Sequence, residues 1–404
     1  MPAMSDRTID VLLIGGGIAA ASAAAELREG GFDGTIALVT REMDAPYHRP
    51  PITKGYLQGS QDRASTLIHP EGWWGEHDIE LLTRTPVMAL DCEARTAKVG
   101  REEIAFGQAL LATGAMVRRL RIDGATRSNI HYLRALGNAD ALREAAAAAQ
   151  RVVVVGGSYI ATEVAASLTL LGCECTLVMQ ERLPLERHFG PIAGQFVHDL
   201  LTGHGIEIVG EADVVGFDGE GDDEGPVGAV VCEDGRRIEG DLVVVGTGAL
   251  PDVMLARKAG LVLGDSGGVA CDRRLHTSAE GIFAAGDMCE YDSVLHGRRL
   301  RIEHEEVAGA QGRHAARAML GSDDPFAEVP YFWSDLADWA TLEYVGPAQS
   351  WDEEIVRGDP AEGAFSVFYV HEGRLAAALA VGRTDDIERA AALIVSGASV
   401  DALR

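Results

Sequence analysis

Lysine is scarce in this sequence, and several common kinds of site are missing from it. Three lysines stand against thirty-two arginines, and 35 basic residues face 62 acidic ones, for a net charge of −27. A chain this acidic repels phosphate backbones and anionic lipid, so we expect neither nucleic acid nor a membrane as partner. No apolar run reaches the ~20 residues that span a bilayer. Residues 1–9 lack a signal-peptide pattern, so we expect a cytoplasmic protein.

Cysteine gives no sign of a disulfide scaffold or a metal centre. The six cysteines include no Cys-x-x-Cys and no His/Cys cluster with zinc spacing, so no metal site is predicted. The length of 404 residues, with 47% hydrophobic and 24% charged residues, is typical of a globular protein of two or three domains.

Two segments about 140 residues apart show the same strand–glycine–helix–strand pattern. The first has an apolar strand at 9–14, three glycines, a helix at 18–28 and a strand at 35–40. The second has a strand at 151–155, Gly156-Gly157-Ser158, a helix at 159–171 and a strand at 175–179. Both are βαβ units of the nucleotide-binding type, which indicates either two dinucleotide sites or one duplicated fold.

The rest of the chain completes this organisation. Further strands are predicted at 109–115, 242–249 and 281–287, and an Ala-rich helix at 307–319. The tail reads as alternating strands followed by a helix at 385–396, an α+β pattern. We therefore predict an α/β protein with two Rossmann-like domains and a C-terminal α+β domain. The predicted divisions are 1–120 with 247–325, 121–246, and 326–404.

The glycine turns are the first candidate binding sites. Gly15-x-Gly17-x-x-Ala20 follows a strand and opens a helix, so its backbone can approach a pyrophosphate at the helix N-terminus. A plain strand–helix turn is the alternative. Arg41 and Glu42 follow the next strand, where an acid would bind ribose hydroxyls, or where a charged pair would simply be solvated.

The second turn, Gly156-x-Ser158-x-x-Ala161, leaves the coenzyme open. Glu181 and Arg182 both follow its second strand. A carboxylate there selects NADH and an arginine favours NADPH; we lean towards NADH.

Lys54 lies in a stiff segment that holds two prolines, Arg49-Pro50-Pro51-Ile52-Thr53-Lys54. A lysine ammonium held in one place suits donation to a single flavin or nicotinamide atom. An exposed lysine after a turn is the alternative. Glu163, in the second nucleotide helix, is a candidate counter-charge, or else an acid favoured by the helix dipole.

The motifs together resemble the FAD-dependent, NAD(P)H-using ferredoxin reductases that serve bacterial oxygenases and cytochromes P450. Apoptosis-inducing-factor and monodehydroascorbate reductase relatives share that fold. The matching segments, in order, are Gly15 to Ala20, Arg49 to Lys54, Ala112-Thr113-Gly114, Tyr159 to Glu163, Gly286-Asp287, Arg301 to His304, and Phe332-Trp333-Ser334-Asp335. The redox disulfide of glutathione-reductase-like enzymes is absent, which excludes disulfide reduction.

The resemblance implies two sets of binding residues. Lys54, paired with Glu163 near the flavin N5, and Trp333, beside the ring, would act on the flavin, although a core or interface tryptophan is the alternative for Trp333. The FAD contacts would be Gly15, Gly17, Ile18, Ala19, Ala20, Arg41, Glu42, Arg49, Lys54, Val87, Thr113, Gly114, Arg134, Gly286, Asp287, Glu303, His304, Glu305 and Trp333. The NAD(P)H contacts would be Gly156, Gly157, Ser158, Tyr159, Ile160, Glu163, Glu181 and Gly248.

The implied reaction passes hydride from NADH or NADPH to FAD and then single electrons to a [2Fe–2S] ferredoxin. The alternatives are reduction of a small acceptor such as a quinone, a radical or oxygen, and redox signalling of the apoptosis-inducing-factor kind. An acidic ferredoxin favours a basic docking face. An arginine group at 298, 299, 301, 313 and 317 offers one, although a generally arginine-rich surface explains it equally. The chain is expected to be a monomer or a homodimer.

Overall fold

The computed structural model describes residues 7–221 and 224–400. Within these residues the helices are α1 Ile18–Glu29, α2 Gly55–Gln58, α3 Trp73–Glu76, α4 Leu136–Ala148, α5 Tyr159–Leu170, α6 Glu186–Gly203, α7 Met254–Lys258, α8 Glu305–Met319 and α9 Thr384–Ser396. Short 3₁₀ helices lie at Pro50–Thr53, Ala64–Thr66 and Pro360–Glu362.

The strands in these residues are short. They are β1 Thr8–Ile14, β2 Ile36–Val39, β3 Ile79–Leu82, β4 Val87–Asp91, β5 Thr96–Val99, β6 Glu102–Leu111, β7 Ala115–Val117, β8 Ile130–His131, β9 Arg151–Val155, β10 Glu174–Val178, β11 Glu207–Val209, β12 Val214–Asp218, β13 Ala229–Cys232, β14 Arg237–Glu239, β15 Leu242–Val245, β16 Ala249–Pro251, β17 Val269–Cys271, β18 Ile282–Ala284, β19 Cys289–Ser293, β20 Arg298–Arg301, β21 Tyr331–Leu336, β22 Ala340–Val345, β23 Glu353–Asp359, β24 Ala364–His371 and β25 Arg374–Val381.

The chain divides into two compact units, each built from separated stretches. In the described residues the first unit comprises 7–49, 64–116 and 251–331, and the second comprises 50–63, 117–221, 224–250 and 332–400. The chain therefore leaves the first unit and returns to it more than once, as is usual when one domain is inserted into another.

The first unit is built on a sheet of order β3-β2-β1-β6-β5-β4, with β18 also paired to β6. Strands β1, β2, β3, β6 and β18 run parallel to one another, while β5 is antiparallel to both of its neighbours, β4 and β6. The second half of β1, residues 11–14, is a continuous buried apolar run, which is the pattern of a parallel strand covered on both faces. Helices α1 and α8 pack together, and Gly309 and Gly312 of α8 allow that close approach.

The second unit contains a parallel sheet of order β11-β10-β9-β15-β8 and a small antiparallel sheet, β12-β13-β14. The valines of β9 and β15 are buried and form the centre of its core. The tail adds a five-stranded sheet of order β21-β22-β25-β24-β23, with α9 packed on β25.

The predicted fold class is confirmed. The helix predicted at 159–171 is Tyr159–Leu170, and the strand predicted at 151–155 has those bounds. The helix predicted at 307–319 begins two residues earlier, at Glu305, with His304 as its N-cap residue. The predicted division into three domains stays a prediction; its residues 1–6, 222–223 and 401–404 lie outside the described residues.

In the described part of the chain, no helix combines the length and the apolar character needed to cross a membrane.

Candidate functional site

The first glycine turn has the strained backbone and the open space that a pyrophosphate requires. Gly15 has φ +140°, and a Cβ there would lie 2.0 Å from the Ala112 carbonyl oxygen, so only glycine fits. A Cβ on Gly17 would meet nothing within 4 Å, which leaves room in front of α1. Ile18, Ala19 and Ala20 form the first turn of α1, whose N–H groups have no partners inside the helix.

The Gly286 turn lies beside this helix N-terminus. A Cβ on Gly286 would lie 3.5 Å from the Ala19 Cβ, so the Gly286-Asp287 turn and the start of α1 are neighbours. Arg301 donates to the Asp287 carbonyl oxygen at 3.0 Å and pairs with Glu303 at 2.5 Å. Four predicted cofactor residues are thereby brought together: Ala19, Gly286, Asp287 and Glu303. This arrangement of a glycine turn and an acid fits the adenosine diphosphate end and the ribityl chain of FAD.

Asp252 is contacted by three predicted cofactor residues, Arg41, Thr113 and Gly114. The Thr113 hydroxyl donates to the Asp252 carbonyl oxygen at 2.6 Å, and the Gly114 carbonyl oxygen accepts from the Asp252 N–H at 2.8 Å. Arg41 forms an ion pair with the Asp252 carboxylate at 3.2 Å. These contacts fix the loop that follows β6.

Glu42 and Arg49 form a second group with Tyr47. The Arg49 guanidinium pairs with the Glu42 carboxylate, which also accepts from the Tyr47 hydroxyl at 2.7 Å. Burial lowers the pKa of Arg49, but Tyr47, Glu42 and Asp287 more than reverse this effect, so its pKa is raised. Glu42 follows β2, where the sequence predicts a ribose-binding acid.

Glu305 anchors the segment that precedes the prolines. Its carboxylate contacts His48 Nδ1 at 2.7 Å and accepts from the Arg49 backbone N–H at 2.8 Å. His304, the residue before it, is half-buried, and desolvation lowers the pKa of its imidazole to about 3. His304 is therefore neutral at physiological pH.

The second glycine turn accommodates its serine through a hydrogen bond. Gly156 has φ +128°, and a Cβ there would lie 2.4 Å from the Gly246 carbonyl oxygen. The Ser158 hydroxyl donates to that same oxygen at 2.9 Å. A serine at this position thus tightens the turn rather than blocking it.

The ring of Tyr159 stands at the start of α5. It stacks on His188 with ring centroids 5.1 Å apart and meets Phe332 edge-on at 4.9 Å. Ile160, next in the helix, is 40% exposed. Gly248 has φ +93° and its carbonyl oxygen accepts from the Arg118 N–H at 3.0 Å.

The two charged residues that follow β10, Glu181 and Arg182, form ion pairs with different partners. A Cβ on Gly157 would lie 3.0 Å from a Glu181 carboxylate oxygen, so Glu181 lies beside the glycine turn. Glu181 pairs with Arg187 at 3.2 Å. Arg182 pairs instead at 2.8 Å with Glu186, the first residue of α6.

Lys54 and Glu163 are in contact. Lys54 Nζ lies 2.7 Å from Glu163 Oε1, and the two side chains are 15% and 7% exposed. The alternative of an exposed lysine is therefore wrong. Val87 begins β4, Arg134 follows β8, and Trp333 lies in β21; all three are half-buried.

Sequence reasoning did not assign several of the residues that hold these groups to the cofactor site. Gln311, fully buried in α8, accepts from the Gly286 N–H at 2.8 Å. Asp252 and Arg301 position their neighbours as described, and Thr53 and Ser334 contact Glu163. A polar residue inside the Ala-rich helix was a signal for Gln311, whereas no local pattern distinguishes Thr53 from any turn threonine.

Comparison with known proteins identifies the family. The pyridine nucleotide-disulphide oxidoreductase model matches residues 9–312, and the reductase C-terminal model matches residues 331–404. The 5,5'-dehydrodivanillate O-demethylase ferredoxin reductase subunit of Sphingobium sp. is 36% identical over 97% of this chain and 94% of its own length.

Solved structures agree with this result. The ferredoxin reductase for the CYP199A2 system of Rhodopseudomonas palustris superposes with a TM-score of 0.89 and 34% identity, covering 93% of this chain and 92% of that one. The covalent putidaredoxin reductase–putidaredoxin complex gives a TM-score of 0.91 and 32% identity, covering 99% and 96%. The chain belongs to the pyridine nucleotide-disulphide oxidoreductase family, among the ferredoxin reductases of oxygenase systems.

Proposed function

We propose that this chain is a flavoprotein reductase that takes hydride from NADH and delivers single electrons to a [2Fe–2S] ferredoxin of an oxygenase or cytochrome P450 system. The observation that carries the proposal is the repeated strand–glycine–helix turn, once in each unit, with positive φ at Gly15 and Gly156. Two such turns suit two dinucleotides, and the relatives are named as reductases of ferredoxins.

The chain's own residues bind and orient the dinucleotides. FAD, when bound, supplies the chemistry that accepts two electrons and releases them singly. The turn at Gly15, the Gly286-Asp287 turn and Glu42 would hold FAD through its pyrophosphate, ribityl and ribose groups. Lys54, fixed by Glu163, would supply positive charge where negative charge builds on the flavin. No side chain is required to transfer a proton.

NADH rather than NADPH is the coenzyme that this charge arrangement favours. Glu181, beside the Gly157 turn, suits ribose hydroxyls and repels a 2'-phosphate. Arg182, the residue that would favour NADPH, is engaged by Glu186. The ratio of flavin reduction rates with the two coenzymes tests this choice. We expect Glu181→Gln to raise relative use of NADPH about tenfold, with Glu174→Gln, an exposed acid at the start of β10, as matched control. A wild-type preference for NADPH would contradict the assignment.

The reaction is tested by mixing the FAD-loaded protein with NADH anaerobically in a stopped-flow instrument. We expect fast bleaching of the flavin and, with a [2Fe–2S] ferredoxin added, continuous turnover. Fast bleaching with no ferredoxin turnover would favour a small acceptor. Slow bleaching with a long-lived charge-transfer band would favour redox signalling instead.

A further inference from the structure

The Glu163 carboxylate is buried and receives three donors. Lys54 Nζ and the Ser334 hydroxyl contact its Oε1 at 2.7 and 2.6 Å, and the Thr53 hydroxyl donates to its Oε2 at 2.6 Å. Glu163 is 5% exposed, Thr53 4% and Ser334 1%. Both oxygens of this buried acid are therefore occupied.

The donors come from separated parts of the sequence within the second unit. Thr53 ends the 3₁₀ helix Pro50–Thr53, Lys54 follows it directly, and Ser334 lies in β21. The backbone around Thr53 is itself held, because the Ser167 hydroxyl donates to the Thr53 carbonyl oxygen at 2.7 Å. The C-terminal sheet thus contributes one hydroxyl directly to the ion pair.

A lysine alone does not fix the orientation of a carboxylate. The terminal torsion of a glutamate is broad, so a carboxylate bound only by an ammonium rotates between several arrangements. Hydroxyls on both oxygens define the plane of the Glu163 carboxylate, and that plane in turn defines where the Lys54 ammonium lies. Charge-assisted hydrogen bonds of this kind are about twice as strong as neutral ones.

We propose that Ser334 and Thr53 are positioning residues: their hydroxyls orient the buried Glu163 carboxylate and so place the Lys54 ammonium for hydride transfer. This inference rests on the proposed reaction. It assigns a role to the serine of the Phe332-Trp333-Ser334-Asp335 motif, which the sequence singled out for its tryptophan.

The principal test compares Ser334→Ala with Ser366→Ala in the FAD-loaded protein. Ser366 is a matched control, since it is also buried in the C-terminal sheet and donates to a carboxylate, Asp386, at 2.8 Å. We expect Ser334→Ala to slow flavin reduction by NADH about fivefold to tenfold at saturation, with little change in the apparent Kd for NADH. We expect Ser366→Ala to retain the wild-type rate even where its Tm falls similarly.

The flavin midpoint potential supplies a readout that lost stability does not move. A displaced ammonium stabilises the added negative charge less, so the potential of Ser334→Ala should fall below that of wild type and Ser366→Ala. In a Glu163→Gln background, Ser334→Ala should add no further slowing, because its effect passes through Glu163.

Thr53 keeps the proposal testable if Ser334→Ala fails to fold. Thr53→Val removes the hydroxyl at nearly constant shape, whereas Thr53→Ser retains it. We expect the rate to fall in the valine variant and to recover in the serine variant.

The outcomes separate this inference from the proposed function. If NADH does not reduce the wild-type flavin, the proposed function fails. If NADH reduces wild type, Ser334→Ala and Ser366→Ala equally fast with unchanged potentials, the function stands and the positioning role is overturned. Equal rates in Thr53→Val and Thr53→Ser would likewise overturn it.

Discussion

Lys54 is one of three lysines in the chain and is paired with an acid that is 5% exposed. Because its charge acts on the flavin in the proposed reaction, we expect Lys54→Met to slow flavin reduction by NADH about a hundredfold. FAD should remain bound, since the glycine turns and Asp287 are untouched. Stopped-flow bleaching gives the rate, and the flavin absorbance of the purified protein gives the FAD content.

The control for Lys54→Met also neutralises Glu163, whose negative charge the single substitution leaves without its cation. Lys54→Met leaves the buried Glu163 carboxylate without its cation, which destabilises the protein. The double variant Lys54→Met/Glu163→Gln should recover thermal stability but not the rate. If Lys54→Met kept wild-type kinetics, the role of Lys54 would be structural only.

His48 provides a pH-dependent contribution to stability. Its hydrogen bond to Glu305 raises the pKa of its imidazole above the usual 6.5; burial opposes this and the charges of Glu305 and Glu306 add to it. A raised pKa in the folded state stabilises the fold fully below about 6.5, and this stability disappears as pH rises through the raised value. We expect His48→Gln to have a lower Tm than wild type at pH values near 6.

The two melting curves should converge at pH values near 9, where His48 is neutral in both folded and unfolded chains. Scanning calorimetry across this range measures the difference. Tm curves that stay parallel from pH 6 to 9 would show that the imidazole gains no charge on folding.

At the scale of single residues, the sequence pointed to the candidate residues of the site but not to the residues that position them. Lys54 was recognisable because lysine is rare and two prolines precede it. Thr53 and Ser334 meet Glu163 only because a 3₁₀ helix, a helix and a strand come together, and no local spacing encodes such a tertiary contact.

In the first unit, helices α1 and α8 pack closely at a glycine of α8. A Cβ on Gly312 of α8 would lie 2.0 Å from the Ala19 carbonyl oxygen of α1, in the turn proposed to bind the FAD pyrophosphate. Gly312→Ala must therefore push the helices apart or distort that turn. We expect it to cost about 2–3 kcal/mol of unfolding free energy and to accelerate FAD loss. Chemical denaturation and flavin fluorescence measure the two effects.

Gly137 of α4 is the matched control for this substitution. It is exposed, and a Cβ there would meet nothing within 4 Å. Gly137→Ala should raise stability by about 0.5 kcal/mol, because alanine loses less backbone entropy on folding. If both variants lost FAD equally fast, the close approach of α1 and α8 would not explain the effect.

At the scale of elements, prediction succeeded where the signal was local and strong. Apolar strands ended by glycine, such as β1 and β9, have nearly the predicted bounds. Helix α6 was missed because Gly190 and Pro191 interrupt it; Gly190 has φ +75° at a kink. Strand β21 was missed since its aromatic and acidic residues lack clear alternation.

At the scale of the whole molecule, the repeated βαβ unit allowed the overall architecture to be predicted. No comparable sequence signal predicts that residues 50–63 belong to the same compact unit as residues 332–400. Both segments contact α5 through Glu163, which accepts hydrogen bonds from Thr53 and Ser334, 110 and 171 residues away in the sequence. No local sequence pattern encodes such contacts.

The charge of the whole molecule shapes its encounter with a ferredoxin. Acidic residues exceed basic ones by 27, and three of the arginines considered for docking are already ion-paired: Arg299 with Asp292 at 2.8 Å, Arg301 with Glu303 at 2.5 Å and Arg317 with Glu26 at 2.7 Å. Long-range repulsion of an acidic partner therefore dominates at low salt.

We expect kcat/KM for an acidic [2Fe–2S] ferredoxin to rise as ionic strength increases from about 10 to 150 mM, because the Debye length shrinks from ~30 to ~8 Å and screens this repulsion. Steady-state turnover with NADH measures it, and NADH-dependent flavin bleaching at each salt concentration corrects for effects on the first half-reaction. The variant Asp292→Asn/Arg299→Gln, which preserves net charge, should keep the same slope. A kcat/KM that falls with salt would instead show that a local basic surface guides docking despite the acidic whole.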